Sequence, residues 1–367
     1  MKAHYLMVGG FLGAGKTTAL FRAGAYLHTR GVRVGLIMND QSDALVDTAI
    51  VRSRNLPVEE IAGGCFCCRF NSLVEAAERL ARDAAPDVFL AEPVGSCTDL
   101  AATVTMPLRH LYGERYAVAP LSVLVDPDRA LRVLGREGGR AFSPKVQYVY
   151  RKQLEEAELL VINKVDVVAA ARVSALRDTL HRDYPSARIV ELSARTGAGL
   201  PAWIDSLLDG EGAGQPLDID YDRYADGEAL LGWLNCLVSV DGRGADGDEL
   251  IEGLAARIHG ALAAQRIEIA HLKLTLTPLD GGGIAVVNAV SSERGPEMAF
   301  RIDAPVDRAE ITVNLRAEAE PADLERAVRD AAAAESAARG VALAITHLER
   351  FRPSRPVPTH RFAGAEG

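Results

Sequence analysis

An apolar run, Tyr5 to Val8, leads into Gly10-Phe11-Leu12-Gly13-Ala14-Gly15-Lys16-Thr17, and a helical stretch, Lys16 to His28, follows at once. Gly-x4-Gly-Lys-Thr between a strand and a helix is the complete pattern of a phosphate-binding loop. Its glycines let backbone N–H groups converge on phosphate oxygens, and the helix adds its positive end. Lys16 is expected to neutralise β- and γ-phosphate charge, and Thr17 to offer its hydroxyl to Mg²⁺. A loop of this kind needs a buried strand behind it, so the first part of the chain must be an α/β protein. Positive charge is mostly Arg here, with six Lys among 41 basic residues. Lys16 and Lys164 therefore stand out, since each occupies a slot where a flexible ammonium has a defined nucleotide role.

Further apolar runs at Val32–Met38, Val88–Ala91, Leu121–Val125, Leu159–Ile162 and Ile189–Leu192 read as strands, and Ser72–Asp83 as a helix. Continuously apolar strands are buried on both faces, as in a doubly wound, mostly parallel sheet. Residues 209–232 loosen into Gly, Asp and Pro and read as a linker. From 233 the rhythm changes. Strands are expected at Leu234–Val240, Ile267–Thr277, Ile284–Ser292, Ile311–Ala317 and Val341–His347, with helices at Asp248–Ala264 and Pro321–Ala338. This reads as a smaller C-terminal α+β domain with the split β-α-β-β-α-β, ferredoxin-like order. The predicted layout is a nucleotide domain over 1–208, a linker over 209–232, the ferredoxin-like domain over 233–352 and an Arg/Pro-containing tail over 353–367.

Asn163-Lys164-Val165-Asp166 closes a buried strand well after the phosphate loop. An Asp carboxylate there can accept two hydrogen bonds from guanine, a pair adenine does not offer. Asn163 supports the purine edge, the Lys164 stem covers the base plane, and Ser193-Ala194-Arg195 can bring a backbone N–H to the guanine oxygen. The expected GTP set is Gly10, Gly13, Ala14, Gly15, Lys16, Thr17, Thr18, Asn163, Lys164, Asp166, Ser193 and Ala194. Glu92 ends the Val88–Ala91 strand, where ligands bind in open α/β sheets, and can hold Mg²⁺ through water. Gly95 is placed to sense the γ-phosphate. Lys16, Thr17, Glu92 and Gly95 form the expected catalytic group, with no general base evident.

Gly63-Gly64-Cys65-Phe66-Cys67-Cys68 lies between the two nucleotide motifs. Three thiols in four residues are no disulfide framework; in a reducing compartment they bind metal, act as a redox pair or pack as buried thiols. They can gather only if the backbone turns, and the glycines allow that. Thiolates suit Zn²⁺ or Cu(I), and mixed ligation also takes Co²⁺ or Ni²⁺. Asp40, Asp43 and Asp47 follow the second strand and can add an oxygen ligand or reach Mg²⁺.

The net charge of -9 disfavours nonspecific nucleic-acid binding, and no apolar run reaches membrane-spanning length. No signal-peptide layout is seen, so a cytoplasmic location is expected. One face of the C-terminal strands reads His271, Lys273 and Thr275, then Thr312, Asn314 and Arg316, then His347 and Glu349; a solvated sheet face is favoured over a docking surface. The tail has the same two readings.

The phosphate loop, Cys65-Phe66-Cys67-Cys68, the Glu92-to-Gly95 step and Asn163-Lys164-Val165-Asp166 together resemble the CobW-type metal-chaperone GTPases, relatives of the hydrogenase- and urease-maturation GTPases. The resemblance covers about residues 3–207 well and the C-terminal half loosely. It implies slow GTP hydrolysis, with a transition metal (Zn²⁺, or Co²⁺ or Ni²⁺) held at the Cys motif and delivered to a client metalloprotein or cofactor-synthesis enzyme. It also implies a nucleotide-sensing switch over Asn39–Asp47, with Asp40 at an acidic metal-site position and Asp47 as a switch acid. Many such proteins carry a His-rich stretch, whereas the eight His here are scattered, so bulk zinc storage is not implied. A homodimer is compatible with these features. The rival readings are an ATP- or GTP-dependent metabolic P-loop enzyme and a metal-sensing or buffering protein with vestigial hydrolysis.

Overall fold

The computed structural model describes residues 2–39, 57–61, 64–210 and 212–362. The chain divides into two compact units. One comprises residues 1–139, 147–224 and 356–367, and the other 140–146 and 225–355.

The first unit is built on a parallel sheet in the order β3-β2-β4-β1-β6-β7-β8. Its strands are β1 (Ala3–Gly10), β2 (Val34–Asn39), β3 (Val58–Ile61), β4 (Val88–Glu92), β6 (Ser122–Val125), β7 (Leu159–Ile162) and β8 (Arg188–Glu191). A short β5 (Tyr116–Val118) pairs with the start of β1. The chain winds outward from β1 to β2 and β3, returns through β4, and crosses to β6, β7 and β8. The C-terminal ends of β1, β4 and β6 therefore converge where the winding reverses, the position at which open α/β sheets bind ligands. This is the expected doubly wound architecture. Strands β3 and β5 were not expected: two acids interrupt the Val-Glu-Glu-Ile of β3, and β5 has three residues, so neither shows an apolar run of strand length.

Burial explains the central strands. Residues Tyr5 to Gly10 of β1 and all of β4, β6 and β7 are buried. Helix α1 (Lys16–Thr29) turns Ala19, Leu20, Ala23 and Leu27 inward. Helix α2 (Phe70–Asp83) buries Phe70, Leu73, Val74, Ala77 and Leu80, the i, i+3, i+4, i+7 stripe of an amphipathic helix. A fully buried Leu or Phe of this kind stabilises the fold by about 1.5–3 kcal/mol. A π-helical turn, Ala101–Thr105, runs into α3 (Met106–Tyr112). Helix α4 (Pro127–Val133) is started by Asp126, whose side chain accepts from the Arg129 N–H, with Pro127 at the first helical position. Helices α5 (Pro144–Glu155), α6 (Ala170–Asp183) and α7 (Leu200–Leu208) complete the crossovers. The segment read as a linker is partly ordered: α8 (Tyr221–Ala229) lies within it, and Tyr221 and Tyr224 pack with Val149 and Ile219.

The second unit is an antiparallel sheet in the order β12-β11-β10-β13-β9-β14. Its elements are β9 (Leu231–Asp246), α9 (Gly247–Ala264), β10 (Ile269–Pro278), β11 (Ala285–Ala289), β12 (Glu297–Phe300), β13 (Pro305–Glu318), α10 (Pro321–Arg339) and β14 (Ala342–Phe351). Strands β10, β13, β9 and β14 with the two helices reproduce the split ferredoxin-like arrangement. The strand expected at Ile284–Ser292 is not a member of that core. It pairs outside β10 and, with β12, extends the edge.

The polar face of this sheet departs from the solvated surface expected. Lys273, Thr275 and Arg316 are only 7%, 3% and 5% exposed. Arg316 lies 3.9 Å over the Trp233 ring and donates to the Leu234 carbonyl. His347 and Glu349, on the last strand, are exposed as expected.

Candidate functional site

Gly10, the last residue of β1, has φ of 129°. A Cβ there would stand 2.5 Å from the Leu124 carbonyl oxygen of β6. Gly15 caps α1 in the left-handed region with φ of 91°. A Cβ on it would meet the Asn163 amide at 2.5 Å. The phosphate loop is thus pressed between the sheet and the base motif at positions only glycine can fill. The α1 N-terminus has no side-chain cap and no acid in its first turn. Its leading N–H groups face a cradle whose chemistry suits an anion.

The expected phosphate and magnesium residues are brought together. The Thr17 hydroxyl donates to Glu92 Oε1 at 3.0 Å, and Lys16 Nζ lies 3.8 Å from the same oxygen. Lys16 and Glu92 are both buried, so the pair is screened little by solvent. Gly95 packs on the phosphate loop, where a Cβ would come within 2.9 Å of the Leu12 nitrogen, and its carbonyl accepts from Gln153 Nε2 at 3.0 Å.

The base motif is equally well joined. Asn163 Nδ2 donates to the Ala14 carbonyl at 2.8 Å, and its Oδ1 accepts from the Ala194 N–H at 3.0 Å. Asn163 therefore ties the phosphate loop to the turn after β8. Lys164 has φ of 62° and donates to the Gly13 carbonyl and to Asp126 Oδ2, at 2.8 and 2.7 Å. Asp166 accepts from Ser193 Oγ at 2.8 Å and pairs with Arg195 at 2.6 Å. Burial alone would raise Asp166; these partners hold its carboxyl below the ordinary range. Thr18 is exposed on α1, outside this network.

Two members of the site were not predicted. Asp126, at the end of β6, is opposed by burial but held at about 2 by Lys164 and Arg129. Arg129 donates to the Leu12 carbonyl and sits 5.2 Å over the Phe11 ring. The signal for Asp126 was present: an Asp-Pro pair at the end of an apolar run marks a helix start.

The three thiols do gather. Cys65 Sγ lies 2.8 Å from Cys67 Sγ and 3.3 Å from Cys68 Sγ, and the last pair is 3.8 Å apart. The backbone turn that permits this is closed by the Cys68 and Arg69 N–H groups, both donating to the Cys65 carbonyl, just before α2 starts. Gly64 enters the turn with φ of 151°. Asn39, the last residue of β2, donates to the Ile61 and Gly64 carbonyls at 2.8 and 2.7 Å and so pins the loop to the sheet. Hydrogen bonds from Cys67, Cys68 and Cys97 drive Cys65 well below the ordinary thiol range, against its burial. Donation to Cys65 pushes Cys67 and Cys68 up, and burial adds to both. The neighbouring thiols thus favour the thiolate form at Cys65 over Cys67 and Cys68, and a soft cation can displace thiol protons from such a cluster. Among the described residues this is the one cluster with metal-ligand geometry. Cys97 was not predicted. It belongs to the loop that begins at Glu92 and includes Gly95, so that loop touches both the phosphate cradle and the thiols. Asp40, Asp43 and Asp47 lie outside the described residues, as does Gly63. No described helix is long and apolar enough to cross a membrane.

Residues 4–191 match the family model for the CobW/HypB/UreG nucleotide-binding domain. A zinc chaperone CobW from a Sinorhizobium species is 27% identical over 234 residues, 58% of this chain and 64% of that one. Zinc chaperone YeiR of Escherichia coli is 25% identical over 211 residues, 53% of this chain and 60% of the relative. Zinc chaperone CobW of Pseudomonas aeruginosa is 25% identical over 218 residues, covering 51% and 56%. The chain spans less than two thirds of the length of each of these relatives.

Proposed function

From the premise that this chain belongs to the CobW/HypB/UreG family, whose nucleotide-binding domain covers about half of it, we propose that it is a GTP-hydrolysing metallochaperone. Its cargo is a thiophilic divalent metal, zinc first, with cobalt or nickel as alternatives, delivered to a client metalloprotein or cofactor-synthesis enzyme. The observation that carries this reading is the Glu92–Cys97 loop. One end of it meets Lys16 and Thr17, and the other donates a thiol to the cysteine cluster.

The residues fit their roles. The glycine cradle and the open end of α1 receive the triphosphate. Lys16 would oppose phosphate charge, and Thr17, with Glu92 through water, would hold magnesium, which would supply charge neutralisation for phosphoryl transfer. Asp166, oriented by Ser193, accepts from the guanine edge. Gly95 lies against the phosphate loop, so a γ-phosphate there draws on the same backbone that leads to Cys97. Metal cargo binds Cys65, Cys67 and Cys68 as thiolates. Three thiols leave a coordination position for exchange with a client. Among the described residues no side chain is a ready general base, which fits slow hydrolysis; Lys16 and Thr17 position the phosphates.

Coupling between two sites is reciprocal. Zinc should change GTP affinity by about 5- to 150-fold, and GTP should change zinc affinity by the same factor. Titration of each ligand with and without the other checks this, and equal affinities would remove the coupling. Cys67→Ala should lose the bound zinc while still binding GTP; unchanged zinc stoichiometry in that variant would refute the thiol site.

A further inference from the structure

After the second unit ends at Arg355, the chain returns to the first unit. Residues 356–362 have no regular secondary structure, yet nearly every one is anchored. The Val357 N–H donates to Cys68 Sγ at 3.2 Å. Two residues on, the Thr359 N–H donates to the Cys67 carbonyl at 2.8 Å and its hydroxyl to the Cys68 carbonyl at 3.2 Å. Alternate residues of an extended segment face the same way, so both turn toward the cysteine turn. His360 sets its ring edge-on to Phe70, the first residue of α2, at 5.0 Å. Phe362 stacks on His110 at 4.9 Å, and its N–H donates to the Ala102 carbonyl.

Arg361 is the fastening. Its Nε donates to Asp99 Oδ2 at 2.8 Å, and a terminal nitrogen donates to the Leu217 carbonyl. Asp99 is fully buried, has φ of 63°, and also accepts from the Tyr221 hydroxyl at 2.7 Å. A buried carboxylate needs its cation, because removing one partner leaves an uncompensated charge. The segment is therefore held at the cysteine turn by donors from Val357 and Thr359 and beyond it by a buried ion pair.

We propose that residues 356–362 form a strap over the cysteine cluster, and that the strap must lift before the thiols exchange metal with a client. Its role rests on the metal-carrier reading above. Val357 is a positioning residue: its N–H occupies Cys68, the most exposed of the three sulfurs. The surface under the strap is one that binds an extended peptide through the Cys67 and Cys68 carbonyls and takes an arginine at Asp99. A client segment presenting those groups competes with the strap at the point of transfer.

The test uses the full chain. Asp99→Asn removes the charge pair while keeping the shape and a residue tolerant of positive φ. Arg361→Ala removes the fastening itself, and Val357→Pro removes the N–H that faces Cys68. Val357→Ala is the control, since it keeps that N–H. In metal-free protein, iodoacetamide labelling of Cys68, mapped by mass spectrometry, should accelerate at least about tenfold in the first three and not in the control. In zinc-loaded protein, transfer to a chromophoric chelator should accelerate in the same three at unchanged zinc stoichiometry. Labelling and transfer within about twofold of the parent in Asp99→Asn and Val357→Pro, with circular dichroism unchanged, would overturn the strap. The labelling arm needs no metal. A failure of the zinc reading, seen in Cys67→Ala, is therefore distinct from a failure of the strap.

Discussion

At Asp166 one carboxylate is shared between Ser193 and Arg195, both on the turn after β8. That turn is fixed in place by Asn163, which also holds the phosphate loop. The carboxylate is thus pre-aimed, and its preference follows from what it can accept. On the proposed GTP reading guanine would pair it, whereas adenine would leave a polar group unpaired. Asp166→Asn reverses one acceptor into a donor. GTP affinity should fall by several decades, by analogy with other sites built to pair one specific polar group, and xanthosine triphosphate should become the favoured ligand. A nucleotide competition assay reads the exchange; an unaltered preference would remove the guanine assignment.

Among the elements, the end of β2 and the start of α2 decide the geometry of the cysteine cluster. The cysteine turn is closed from within by Cys65 and tied from outside by Asn39, which makes two hydrogen bonds to carbonyls of the turn's approach. Both of these bonds go to backbone carbonyls, so Asn39 acts by orienting the loop that carries the thiols. Asn39→Ala should weaken zinc binding about 10- to 100-fold, the usual effect of removing a partner that orients metal ligands. Nucleotide affinity measured without zinc should stay the same. A competition titration against a zinc dye distinguishes this from a general loss of fold, which would lower both.

For the whole molecule, two buried carboxyls set opposite limits on pH. Burial raises Glu156 to about 8, although the Ala101 N–H and Thr98 hydroxyl bond to it. Its folded value lies above the unfolded value of about 4.3. Its contribution is therefore complete below about pH 4.3 and is lost as pH rises through about 8. Asp126 is opposite in sign: held at about 2 in the fold, it contributes above about pH 4 and loses that contribution as pH falls toward 2. Stability should decline at both ends. Glu156→Gln should flatten the alkaline side, recovering on the order of 2 kcal/mol at pH 8 relative to pH 6. Urea midpoints of both proteins across that range check the slope; equal slopes would mean that Glu156 ionises normally.

The sequence alone determined what short-range physics writes into it. Gly10 to Thr17 required a strand before and a helix after, and buried strands supplied the parallel sheet; Asn163 to Asp166 was legible because its position after such a strand fixes its direction. Cys65 to Cys68 announced a thiol cluster by spacing. Tertiary structure decided which distant groups meet. Asp126 found Lys164, Cys97 found Cys65, and residues 356–362 found the cysteine turn, each across separations that no local period encodes. It also decided that Ile284 to Ser292 joins an edge and that Lys273, Thr275 and Arg316 are buried. Periodicity reports which face of an element is apolar, whereas burial of a polar group depends on partners that only the folded chain brings within hydrogen-bonding distance.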